Sequence, residues 1–346
     1  MSHRYIARVL RIGLAAMIAS ASAQTVPAPG QLARDVVFDQ LSPLAKNSVL
    51  WDRLLSPGQR DRQVAAMAAK GSVLAPYPLD LSAERFLVYL PKHEPSAGYG
   101  LLVFIPPWED ARLPSGWSQV LDREGMIFVT AGRSGNDESI PGRRIPLALT
   151  AAHALAERYR IDSKRKYISG FSGGSRVALR TAIAFPDIFA GVLLNSGSDP
   201  IGTAYDPLPS PDLMSLLQTR TRFVFVTGEN DEVNVSMDAA TRMSLSAWCV
   251  DATRAIVRPH VGHEVMDRDG LAEALGTLAR PYPGDPAQSR RCLSSMDIRL
   301  QHARADAIAL QAQPRSSWVR EQLDRLDREF GALLDGETEP ARAPSD

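Results

Sequence analysis

The chain has 346 residues, 45% of them apolar, and its 39 basic residues balance 39 acidic ones. That is enough apolar material for one substantial core with room for a small appendage. The balanced charge gives no electrostatic reason to expect nucleic acid or an anionic membrane as partner, so functions that depend on a basic face are set aside.

At the start, Arg4, Arg8 and Arg11 precede an apolar run from Ile12 to Ala21 that ends in Ala21-Ser22-Ala23. A charged start, a short apolar stretch and an A-x-A exit predict a secretory signal peptide over residues 1–23. The run is well short of the roughly 20 residues a membrane anchor needs. Cleavage would remove three arginines and leave 36 basic against 39 acidic residues, a formal net of −3. No later segment is long and apolar enough to cross a bilayer, so an exported mature chain, periplasmic or extracellular, is expected.

Residues 24–80 lack strand alternation. Leu32, Val36, Val37 and Leu41, then Val49, Leu50, Leu54 and Leu55, recur at roughly helical spacing. Two or three short helices are expected there, packed on the outer face of the main domain, with a cover over the mouth of its site as the alternative.

From Arg85 to Arg280, short β-rich runs alternate with helical patterns, the signature of a mostly parallel sheet with helices on both faces. The predicted strands are Arg85–Leu90, Leu101–Ile105, Met126–Ala131, Lys166–Gly170, Gly191–Asn195, Arg222–Thr227 and Thr253–Arg258. The predicted helices are Trp117–Glu124, Pro146–Arg160, Gly174–Phe185, Ser236–Cys249 and Asp269–Ala279. Unbroken apolar runs at Leu101–Ile105 and Phe223–Val226 suit strands buried on both faces. The first two strands, separated by the turn-rich stretch Pro91–Gly98, read as an antiparallel pair at one edge.

Pro281, Pro283, Gly284 and Pro286 mark a linker, after which residues 293–312 and 316–334 read as two helices broken at Pro314. Residues 335–346 read as a disordered tail. The expected organisation is therefore a signal peptide (1–23), an N-terminal helical segment (24–80), an α/β domain (81–282), a C-terminal helical extension (283–334) and the tail (335–346). Cys249 and Cys292 are an even pair in an exported chain and are expected to form a disulfide. Closing a loop of 43 positions, it would stabilise the fold by roughly 3 to 4 kcal/mol on chain-entropy grounds.

The chemistry gathers around Gly170-Phe171-Ser172-Gly173-Gly174, which follows the strand-like Lys166–Ser169 and precedes a helical stretch. A G-x-S-x-G sequence in a strand, sharp turn, helix context is a nucleophile elbow, in which only small residues fit on either side of an exposed serine. A serine hydroxyl is a poor nucleophile at neutral pH and needs a base, itself oriented by an acid.

In the order Ser, acid, His, the polar loop Thr227–Glu232 supplies Asp231 as the acid, with Glu229, Glu232 and Asp199 as competitors. The stretch after the last strand supplies His263 as the base. His260 reads as structural, and His93, His153 and His302 fall outside the order.

An oxyanion hole needs two backbone N–H donors. Gly173 is one. Pro106 and Pro107 have none, so Trp108 is the first available donor in the loop after Leu101–Ile105. Arg133, Ser134, Asn195 and Ser196 stand at C-terminal strand ends, where open α/β sheets bind ligands, and are pocket candidates.

Over residues 85–280 the chain resembles the α/β-hydrolases, in particular the exported branch with feruloyl esterases, acetyl xylan esterases and polyhydroxybutyrate depolymerases. The phrase Phe86–Pro91, then Leu102–Ile105 and the loop after it, is similar to the opening of those enzymes, as are Gly170–Gly174, Asp231 and Gly262-His263. The resemblance implies the α/β-hydrolase fold and hydrolysis through an acyl-enzyme with Ser172, Asp231 and His263 as triad. It implies no metal and no cofactor. Where relatives commonly have His-Gly at the start of the oxyanion loop, this chain has Pro106-Pro107.

A carboxylic ester, small or polymeric, is the expected substrate. A serine peptidase of the same fold and a non-catalytic scaffold are the alternatives, the latter weighed with the reminder that fold alone does not imply function.

Overall fold

A computed structural model describes residues 27–203, 205–280 and 291–293. The predicted signal peptide, both C-terminal helices save residue 293, and the tail lie outside the described residues.

Eight strands form one sheet in the order β1-β2-β4-β3-β5-β6-β7-β8. They are β1 (Leu32–Val36), β2 (Phe86–Tyr89), β3 (Tyr99–Ile105), β4 (Met126–Ala131), β5 (Ile161–Phe171), β6 (Gly191–Asn195), β7 (Arg222–Gly228) and β8 (Thr253–Arg258). Strands β3 to β8 run parallel, and β2 is antiparallel to both of its neighbours, β1 and β4. The helices are α1 (Asn47–Leu54), α2 (Pro57–Lys70), α3 (Trp117–Glu124), α4 (Ile145–Arg158), α5 (Gly173–Ala184), α6 (Pro211–Thr219), α7 (Glu232–Ala247) and α8 (Arg268–Ala279). This topology, with the sheet covered on both faces, is the α/β-hydrolase fold.

Alternation along each strand divides the core into two layers, because successive side chains leave a strand on opposite faces. Leu101, Val103 and Ile105 of β3 pack with Ile127 and Val129 of β4 against α4, α5 and the N-terminal segment. Leu102 and Phe104 pack with Phe128 and Val226 against Trp117 of α3 and Leu271, Leu275 and Leu278 of α8. With both faces covered, the strands read as nearly continuous apolar runs rather than as half-polar ones. Trp117, fully buried, donates its indole N–H to the Met266 carbonyl at 3.0 Å and so ties α3 to the loop that carries His263.

Three expectations change. The sequence reading pairs β2 with β3, yet β2 lies between β1 and β4, and β3 lies between β4 and β5. The turn-rich Pro91–Gly98 stretch carries the chain across β4 instead of making a hairpin.

Leu32–Val36 is an edge strand, not a helix. Its five residues pair with β2 in a bulged register, so the unpaired edge of β2 decides its conformation rather than local periodicity. The chain between β6 and β7 also holds α6, started by Pro211 at its first position.

The N-terminal segment also holds α1 and α2, and α1 docks on the α4 and α5 side. Leu50, Trp51 and Leu54 join the core there, and Arg53 bonds both carboxylate oxygens of Asp187 beyond the end of α5. Ser56 and Gln59 form a reciprocal capping box at the start of α2. Cys249 and Cys292 form a disulfide with a Cα separation of 5.7 Å.

Candidate active site

Ser172 stands between β5 and α5 with φ 54° and ψ −121°, a left-handed conformation that costs a non-glycine residue energy and is held here by its surroundings. Its N–H donates to the Asn195 carbonyl at 2.9 Å. The glycines around it are required by contact. A β-carbon on Gly170 would lie 2.3 Å from Gly174, and one on Gly197 would lie 2.2 Å from the Ser172 carbonyl oxygen. The turn therefore closes only with glycine at those positions, and it presents the serine side chain outward.

His263 Nε2 lies 2.9 Å from Ser172 Oγ, and its Nδ1 lies 2.7 Å from Asp231 Oδ2. A proton on Nδ1 donated to Asp231 leaves the Nε2 lone pair facing the serine hydroxyl, the tautomer that can accept a proton. Three segments far apart in sequence meet here, each from the C-terminal end of a parallel strand.

The loops that carry Asp231 and His263 are joined directly. Asn230 N–H donates to the Val261 carbonyl at 2.9 Å, and a β-carbon on Gly228 would lie 2.3 Å from the Gly262 carbonyl oxygen.

Asp231 is buried, and burial acts to raise its carboxyl. Hydrogen bonds from His263 and from Asn234, together with the charge of His263, outweigh that and hold it below the ordinary carboxylate value. It is thus an anion at neutral pH, as a partner for an imidazolium must be.

The competing residues are engaged elsewhere. Glu229 accepts the His260 N–H at 3.0 Å on an exposed loop. Glu232 begins α7. Asp199 is 3.3 Å from Arg176 Nε. His302 lies outside the described residues.

Gly173 is the first residue of α5, so its N–H is one of those with no partner inside the helix. Beyond β3, the Pro106 carbonyl accepts from Arg144 Nη2 at 2.9 Å, the Pro107 carbonyl from Asn136 N–H at 3.1 Å, and the Glu109 carbonyl from Arg133 N–H at 2.7 Å. These bonds peg the proline loop to residues 133–144 by its carbonyls. The Trp108 N–H makes no hydrogen bond among the described residues. The Trp108 ring bridges Phe104 and Phe171, with centroids 6.1 Å from each, and carries the Arg112 guanidinium over its face at 3.9 Å. Phe171 lies against the His263 ring at 4.9 Å.

A cleft of about 580 Å³ opens beside Gly173. Ile140, Val177, Val233 and Met237 form apolar walls, and Arg176 and Asp199 supply charge. None of Arg133, Ser134, Asn195 and Ser196 lines it.

Arg133 reaches Glu84, and the Ser134 carbonyl accepts from Arg144. Asn195 Oδ1 accepts the Met266 N–H at 2.7 Å, steadying the loop after His263, and Ser196 is fully buried beside it. Asn136, whose side chain packs on Gly173, and the bulky residues at the start of α7 carried no motif, because nothing local announces a residue that lines a cleft.

Among the described residues, no group of three or more His, Cys, Asp or Glu side chains is placed to hold a metal, and no helix is long and apolar enough to cross a membrane.

No protein-family model matches the chain, and no curated protein matches it. Solved structures resemble it at low identity. A thermostable esterase is 17% identical, covering 51% of this chain and 51% of its own, with a TM-score of 0.38. A ferulic acid esterase is 18% identical, covering 56% of this chain and 88% of its own, with a TM-score of 0.41. Dipeptidyl peptidase 4 from Porphyromonas gingivalis is 14% identical, covering 56% of this chain and 33% of its own, with a TM-score of 0.43. The chain thus spans about half the length of the first of these relatives and a third of the last.

Proposed function

We propose that this protein is an exported serine hydrolase that cleaves carboxylic esters through an acyl-enzyme, with Ser172 as nucleophile, His263 as general base and Asp231 as the orienting acid. The observation that carries this reading is the unbroken chain Ser172 Oγ, His263 Nε2, His263 Nδ1, Asp231 Oδ2, with contacts of 2.9 and 2.7 Å, seated on a strained elbow. The elbow strain supports it further, since such backbone persists where function requires it.

Ser172 Oγ attacks the ester carbonyl carbon while its proton passes to His263 Nε2. The carbonyl oxygen becomes an oxyanion, met by the Gly173 and Trp108 N–H groups, the first at a helix N-terminus and the second left unbonded in the pegged proline loop. Collapse breaks the bond to the alcohol, which departs with the proton from His263. Water then attacks the acyl-enzyme, its proton passing to His263, and the acid leaves as Ser172 recovers its proton. No metal or cofactor enters these steps. Export is supported by the charged start, short apolar run and A-x-A exit of residues 1–23 and by the Cys249–Cys292 disulfide, which suits an oxidising compartment.

Purified protein treated with a fluorophosphonate probe should label, and Ser172→Ala should not. If wild type stays unlabelled, the catalytic reading fails. p-Nitrophenyl acyl esters should turn over faster than aminoacyl anilides; the reverse order would make the chain a peptidase.

A further inference from the structure

Asn234, at the start of α7, places its side-chain nitrogen 2.9 Å from each carboxylate oxygen of Asp231. An amide can sit either way round in its pocket, since its oxygen and nitrogen are nearly alike in shape. Arg176 removes the choice. A guanidinium only donates, and Arg176 Nη2 lies 3.1 Å from Asn234 Oδ1, so the amide oxygen must face the arginine and the NH2 must face Asp231. The same Asn234 nitrogen passes 3.3 Å from His263 Nδ1. Both of those atoms donate to Asp231, so this is a close approach between two donors converging on one carboxylate.

Arg176 is itself anchored by Asp199, 3.3 Å from its Nε. It stands on α5 four residues after Ser172, about one helical turn along the helix that the nucleophile caps. The acid loop is thereby referenced to the element that carries the nucleophile, through side chains that are largely buried at Asn234 and Asp199.

We propose that Asn234 and Arg176 are positioning residues for the reaction: the arginine fixes the amide, and the amide fixes the Asp231 carboxylate toward His263. This rests on the catalytic reading of Ser172, His263 and Asp231. Without Asn234, the carboxylate keeps His263 as its one side-chain donor and is free to rotate about its last bond. It also loses two charge-assisted hydrogen bonds that favour its anion, so protonation sets in at higher pH.

The test compares Asn234→Ala, Arg176→Met, Arg176→Lys and the double variant Arg176→Met with Asn234→Ala, in the full chain. The substrate is p-nitrophenyl acetate, whose acyl group is small enough that the cleft wall near Arg176 contributes little to its binding. Asn234→Ala should lower kcat by about 10- to 100-fold, the size of a lost hydrogen bond to a charged group, with KM within about twofold. The acid limb of its kcat/KM profile should move to higher pH. Arg176→Met should shift both readouts in the same direction, and Arg176→Lys should recover part of each.

Because Arg176 acts through Asn234, the double variant should be no slower than Asn234→Ala alone. Unchanged kcat and acid limb in the single variants, or losses that multiply in the double, would overturn the proposal. Arg176 is 31% exposed, so its variants should fold; if thermal unfolding shows that Asn234→Ala does not, the Met and Lys pair decides. Ser172 should still take the fluorophosphonate in every variant. An unlabelled wild type instead removes the catalytic reading and this one with it, which separates the two failures.

Discussion

Gly174 and Ile105 meet backbone to backbone: a β-carbon on Gly174 would lie 2.0 Å from the Ile105 carbonyl oxygen. The first turn of α5 is thus pressed onto the end of β3, and this brings the loop after β3 beside Ser172. Neither partner is a flexible side chain that could move aside. Gly174→Ala should therefore cost about 2 to 3 kcal/mol in urea unfolding and reduce ester hydrolysis at least tenfold. Gly276→Ala in α8, where the new methyl meets nothing within 4 Å, should instead leave activity intact and raise stability by about 0.5 to 1 kcal/mol through helix propensity.

Glu84 is buried and faces two arginines. Arg143 bonds both of its oxygens, and Arg133 reaches Oε1 at 3.2 Å. Removing one member of a buried pair strands the other, so Glu84→Ala should lower stability by about 3 kcal/mol. The Glu138 carboxylate, 3.3 Å from Arg143, offsets part of that cost. Because Arg143 also holds the Arg133 carbonyl, and the chain from there reaches the cleft at Asn136 and Ile140, KM for long-chain esters should rise in the same variant. Unfolding midpoints and kinetics on short and long esters check both halves.

Burial pushes the Asp206 carboxyl up to about 7, against the attraction of Arg180 and with the nearby Asp199 carboxylate adding to the rise. The ion pair is loose at 3.9 Å, and among the described residues Asp206 Oδ1 and two of the Arg180 nitrogens lack a hydrogen bond, which explains why attraction loses. The unfolded carboxyl titrates near 3.8, so between 3.8 and about 7 the folded chain holds the extra proton. Its stabilising contribution is full below the lower value and lost as pH rises through the upper one, at most about 4 kcal/mol. The stability of wild type relative to Asp206→Asn should therefore fall between about pH 4 and pH 7 and level off above that. Asp238, also raised by burial, keeps its share of the slope in both proteins.

The Cys249–Cys292 disulfide closes a loop of 43 positions and joins the second residue after α7 to the segment beyond residue 290. Its loss should lower unfolding free energy by about 3 to 4 kcal/mol, mainly by freeing the unfolded chain. Paired Cys249→Ser and Cys292→Ser substitution should match wild type under reductant in urea midpoint, and ester hydrolysis should stay within twofold.

Much of the frame was legible in the sequence. Strands such as Met126–Ala131 and Gly191–Asn195 are short apolar runs between turn residues, and a run buried on both faces has no other use for its composition. The elbow was legible as well, because its glycines are demanded by contacts within a few residues. Leu32–Val36 was not, since an edge strand of five residues takes its conformation from the partner it meets rather than from its own pattern. The order of strands at the antiparallel end is hidden for the same reason: Pro91–Gly98 looks like a hairpin turn locally, and only the sheet reveals that β4 lies between the strands it joins.

The sequence by itself therefore determined the alternation of elements and the residue types that stand at the ends of the strands. Tertiary structure decided which of them meet. Ser172 and His263 are 91 positions apart and Arg176 and Asn234 are 58 apart, and their contacts exist only because β5, β7 and β8 end on one side of a parallel sheet. Local spacing reports on neighbours along the chain, whereas the contacts among Ser172, His263, Asp231 and Asn234 depend on distances of about 3 Å between segments that only folding brings together.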